Sequence, residues 1–106
     1  MHIQINSPHE SLPEAFVELV ERTAQAALAP QAKRLTRLEI HFQDLNAQKG
    51  GIDKRCLIEA RPKGLKPVAA DHESETVGDA FHGALEKLQR VLEHRFGRLD
   101  SQDQGR

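Results

Sequence analysis

The chain has 106 residues, with 15 Lys and Arg against 16 Asp and Glu, a formal net charge of -1 and a sequence pI near 6.6. That length suits one domain with a two-layer core, and 38% apolar with 29% charged residues is a globular composition, not a disordered one. A near-neutral total argues at first against a nucleic-acid partner, because phosphate binding draws its affinity from an excess of cations.

The opening HIQIN alternates apolar and polar residues, the period of a half-buried strand, and stops at Asn6, Ser7 and Pro8. From Leu12 the period changes to that of a helix, with Leu12, Phe16, Leu19, Val20 and Ala27 on one side. Ser11 is the expected N-cap, Pro13 falls in the first turn, and Ala29-Pro30 closes the helix. Alternation returns over Arg37 to Phe42 and again over Lys54 to Arg61, placing Leu38, Ile40, Phe42, Cys56, Ile58 and Ala60 inward. The connection between these strands contains Gly50-Gly51, and Pro62-Lys63-Gly64 turns the chain into a fourth strand around Lys66 to Glu73. A second helix begins near Ser74 or Thr76, carries Val77, Phe81, Ala84, Leu85, Leu88, Leu92 and Phe96 on one stripe, and is expected to end at Gly97. The order β-α-β-β-β-α predicts an α+β two-layer sandwich. Its four-stranded mixed sheet is covered by both helices on one face and solvated on the other. Residues 1 to 99 form the domain and residues 100 to 106 a polar tail.

Little in this pattern suggests chemistry. Six histidines are scattered without the i, i+2 or i, i+4 spacing of metal ligands, so no metal or other cofactor is expected. Cys56 alternates inward, away from Arg55, and reads as a small buried hydrophobe. A lone cysteine also excludes a disulfide framework. Glu39 and Glu59 share their face with Arg37, Arg55 and Arg61 and read as a surface ion lattice, not an acid/base pair. No enzyme and no small-molecule substrate are expected. The N-terminus lacks the basic and apolar regions of a signal peptide, and no apolar run is long enough to span a membrane, so a cytoplasmic protein without a membrane partner is expected.

The cations are unevenly placed. Residues 1 to 32 and 67 to 106 each carry a net -3, whereas residues 33 to 66 hold nine basic side chains against four acidic, a local +5. That centre fits a phosphate-contacting surface. With Trp and Tyr absent, folded RNA read by its shape and backbone is a better target than a single strand.

The opening MHIQIN, the block NAQKGGIDKRC followed by IEARPKG, and the helix ALEKLQRVL before GRL resemble the ribosome hibernation promoting factor and ribosome-associated inhibitor A family, also called the sigma-54 modulation protein family. The likeness covers about residues 1 to 99, and the chain looks like the short form. It implies a fold similar to a double-stranded RNA-binding domain. It also implies a non-enzymatic protein that binds the small ribosomal subunit and its ribosomal RNA, occludes the messenger and transfer RNA channel, and halts translation under stress or in stationary phase. Lys87 and Arg90 match the family's basic positions in the last helix, and Arg34 and Arg37 its basic entry to the second strand. Together with Lys49, Lys54, Arg55 and Arg61 of the basic centre they form the expected RNA-binding set. The chain departs from the family at Thr23, Gln25 and Ala26, where lysines are common, and at Glu86 and Glu93. The alternative reading is a protein-interaction module on the same fold that has lost RNA binding.

Overall fold

Alternating strands and one-sided helices have a single economical packing, and the computed structural model adopts it. It describes residues 1–8, 11–45 and 52–104, with side chains to residue 101. The elements are β1 (His2–Asn6), α1 (Glu14–Ala27), a short 3-10 turn (Ala29–Arg34), β2 (Leu35–Asp44), β3 (Lys54–Pro62), β4 (Val68–Ser74) and α2 (Val77–Gln104). Sheet order is β1-β2-β3-β4. β1 runs parallel to β2, as a crossover through α1 requires, and the remaining pairs are antiparallel.

The register places Ile40 opposite Ile58 and Phe42 opposite Cys56, so Leu38, Ile40, Phe42, Cys56, Ile58 and Ala60 of the two central strands point to the helix layer, while Leu57 lies on the open face. Val20 and Ala24 of α1, Leu28 at its C-cap, and Ala84, Leu88 and Leu92 of α2 meet them in one core. Each fully buried Leu or Ile contributes roughly 1.5–3 kcal/mol of transfer free energy. Phe16, Phe42 and Phe81 tie α1, β2 and α2 together, with ring centroids 5.9 and 6.4 Å apart in tilted geometry. Cys56 lies in this core as its alternation predicts, and burial pushes its thiol up to about 12.

Two of the four helix ends differ from the sequence reading. Pro13, not Ser11, is the N-cap of α1: its extended backbone (ψ 142°) aims its carbonyl at the amides of Phe16 and Val17, at 3.0 and 3.1 Å. For α2 the cap is Thr76, whose hydroxyl accepts from the Asp79 amide at 3.1 Å. Gly97 does not end α2, which continues to Gln104. A mid-helix glycine costs about 1 kcal/mol. Contacts on both sides of Gly97 offset this, because Arg34 lies over the Phe96 ring at 4.8 Å and pairs with Asp100 at 2.7 Å. A 28-residue helix is about 42 Å long and outruns the sheet, giving principal extents of 56 × 23 × 19 Å.

One glycine in α2 is required by packing. A Cβ at Gly83 would overlap the imidazole of His72, which projects from β4 toward the helix. Gly83→Ala should therefore cost about 1–3 kcal/mol. That would lower the melting temperature by roughly 4–8 °C per kcal/mol, and His72→Ala in the same chain should restore most of the loss. An unchanged melting temperature for Gly83→Ala would show that α2 does not rest on β4 here. Cys56 should resist a thiol reagent at pH 8 in the native protein and react fully on unfolding. Because the folded thiol keeps its proton to about 12, stability should also fall as pH rises above about 9, where the unfolded thiol ionises.

Candidate nucleic-acid interface

Side chains on the open face of the sheet come from alternate strand positions. There Arg37 stands opposite Arg61 and Glu39 opposite Glu59, so directly facing residues carry like charge. The attraction runs diagonally and along the strands instead. Glu39 meets Arg37 at 3.0 Å, Arg61 at 3.5 Å and His41 at 3.4 Å, while Arg61 also meets Glu59 at 3.1 Å. Arg37 donates to the Gln4 side chain. Arg55 donates to Asp71 at 2.9 Å and to Gln43 at 3.0 Å. The face is thus a lattice of alternating sign, and the charges of Arg37, Arg55 and Arg61 are already matched by carboxylates.

The other cations expected at an RNA surface are distributed elsewhere. Lys54 lies on the helix side of the sheet, 2.9 Å from Asp44. Lys87 donates to the Asp71 carbonyl at 3.0 Å and links α2 to β4. Arg34 clasps the 3-10 turn to α2 through Asp100 and Phe96. Arg90 is largely exposed, with Glu86 at 4.0 Å. Lys49 lies outside the described residues, as do Gly50 and Gly51.

A different set converges. The side chains of Lys33, Lys63, Lys66, Arg95 and Arg98 have no ion-pair or hydrogen-bond partner among the described residues, and all five belong to one end of the domain. This end is built from the 3-10 turn, the β3-β4 turn and the C-terminal half of α2. The β3-β4 turn is shaped by Gly64, whose φ of +70° suits a residue without a Cβ. The Lys63 amide donates to the Arg34 carbonyl at 2.8 Å, which holds that turn beside the 3-10 segment. Leu65 and Leu99 then divide the surface into two hollows. One is bordered by Lys33, Arg34 and Lys63, the other by Arg90, His94, Arg95 and Arg98. Arg34 and Arg90 are the expected residues that fall here. The others were legible only in part: Arg90, His94 and Arg98 follow at four-residue steps, but a helix ending at Gly97 leaves Arg98 outside it.

Acidic residues gather at the opposite end, where α1 and α2 begin: Glu14 and Glu18 on α1, Glu73 and Glu75 beside the start of α2, and Asp79 in its first turn. Among the described residues no group of three or more His, Cys, Asp or Glu is placed to hold a metal ion, and no helix is long and apolar enough to cross a membrane. What the cationic end can do chemically is hold anions. Its guanidinium and ammonium groups are solvent-accessible and not neutralised within the described chain.

The fold is shared with solved structures of low sequence identity. The structure of a ribosomal subunit interface protein from Coxiella burnetii superposes with a TM-score of 0.76 at 20% identity, covering 92% of this chain and 99% of that one. The Protein Y N-terminal domain of Thermus thermophilus gives 0.70 at 17% identity, covering 89% and 98%. No curated protein matches the chain in sequence. The family model for the sigma 54 modulation protein / S30EA ribosomal protein matches residues 3–100, nearly the whole length, and the chain belongs to that family.

Proposed function

We propose that this protein binds the small ribosomal subunit through ribosomal RNA phosphates held at its cationic end, and that it inhibits translation by occupying the channel used by messenger RNA and transfer RNA anticodon ends. Stress or stationary phase is the setting in which such occlusion is useful. The observation that carries the proposal is the convergence of Lys33, Lys63, Lys66, Arg95 and Arg98, without partners among the described residues, at one end of a domain of this family. Family membership supports a ribosomal partner, and the description of the Coxiella neighbour as a ribosomal subunit interface protein points the same way. Free cations at one end provide counterion release, while the paired arginines of the sheet face contribute less.

The mixed-sign sheet face favours a second use. Glu39 with its three cationic neighbours offers a patterned surface of the kind protein partners recognise. In this reading the sheet face binds protein and the cationic end does not bind RNA.

Co-sedimentation with purified small subunits separates the two. Binding should weaken steeply between 50 and 200 mM salt, with a log-log slope of about -4 to -5 for five phosphate contacts. Lys63→Glu with Arg98→Glu should reduce that slope by about 2 and weaken binding at least 10-fold, with the melting temperature nearly unchanged. Wild-type protein that stays at the top of the gradient at low salt would refute the proposal. A second comparison uses the sheet face. Arg37→Ala with Arg61→Ala should alter subunit binding less than twofold on the RNA reading, whereas a loss confined to this pair would favour the protein reading.

A further inference from the structure

The hollow on the α2 side of the cationic end has an unusual floor. Leu65 and Val91 are 37% and 38% exposed, and with Leu99 they line a groove of about 540 Å³ whose rim carries Arg90, Arg95 and Arg98. Grooves of this size suit a single small group. We infer that it receives one unstacked nucleotide of the bound RNA, with the base lying on Leu65, Val91 and Leu99 and the flanking phosphates on Arg95 and Arg98. The inference rests on the RNA-binding reading above and names what that end grips.

Charge and spacing select this occupant. Arg95 and Arg98 are three residues apart on α2, a rise of about 4.5 Å, which their long side chains can open to the separation of neighbouring phosphates along an RNA strand. Lys33 and Lys63 border the adjoining hollow, so a strand crossing Leu65 and Leu99 meets cations on both sides. An acidic helix is a poorer fit, because helix-in-groove recognition uses a row of apolar anchors and this floor offers one anchor position. A base needs only one. It can lie on aliphatic side chains and against a guanidinium plane, so a chain without Trp or Tyr still has a place for it.

The test uses the full chain and purified small subunits. Leu65→Ala with Val91→Ala should weaken binding about 5- to 10-fold, the low end of what a single base contact supplies. The salt slope should stay at the wild-type value, unlike that of the Lys63→Glu/Arg98→Glu pair. Leu19→Ala, which removes a still more exposed leucine on α1, should leave binding unchanged. Methylation probing of the complex should show one base protected by wild type and released by Leu65→Ala/Val91→Ala. Wild-type binding with the floor variant within twofold, or no base whose protection depends on it, overturns the inference alone. Failure of the wild type to bind overturns it together with the proposed function. Melting curves for each variant identify any loss due to unfolding, and in that case Val91→Thr, of nearly the same volume, replaces the double variant and is judged by the same protection.

Discussion

Everything at the cationic end depends on how closely α2 lies on the sheet. The helix can settle against β4 only because Gly83 offers no side chain to His72. Lys87 then reaches the Asp71 carbonyl one turn further on, and Gln89 reaches the Ala27 carbonyl at the end of α1 at 3.1 Å. These contacts fix the helix axis over its first half. Phe96 is the last buried residue of the helix, and beyond it the direction is inherited from the packed part. The placement of Arg95 and Arg98 beside the β3-β4 turn is therefore a consequence of a glycine some three turns earlier.

Arg34 completes this arrangement from the other side. Its pair with Asp100 is half exposed, and such a contact contributes at most about 1 kcal/mol. Stacking on Phe96 adds a similar amount. The larger effect is geometric. A residue whose sequence position suggests an RNA contact instead braces the overhanging helix, leaving the neighbouring Lys33 and Lys63 as free charges.

The fold was legible because period 2 and period 3.6 are dictated by which side chains must meet the core, and Leu38, Ile40, Phe42, Phe81 and Leu88 keep those periods cleanly. Element ends were less so. Gly97 ordinarily stops a helix, and only tertiary contacts at Phe96 and Asp100 carry the chain through it. The charged surface was legible in part: strand alternation gives the ion lattice of Glu39 and Glu59 with their arginines, but a count of cations along the chain is blind to it. Arg37, Arg55 and Arg61 belong to the +5 segment, yet Glu39, Glu59 and Asp71 lie close enough to match them. Arg95 and Arg98 belong to a segment whose net charge is -3, yet they stand without partners among the described residues.

Among the described residues, unpaired cations at one end and carboxylates at the other set an electric dipole along the long axis of this nearly neutral molecule. A field acts on such a body mainly as a torque. Far from a polyanion the protein feels almost no pull, and within a Debye length, about 8 Å at physiological salt, it is turned so that the Lys63 and Arg98 end leads and the Glu14 and Asp79 end trails. The charge distribution thus acts less as an attractor than as a compass. It sorts encounters by orientation and rejects approaches made with the acidic end first.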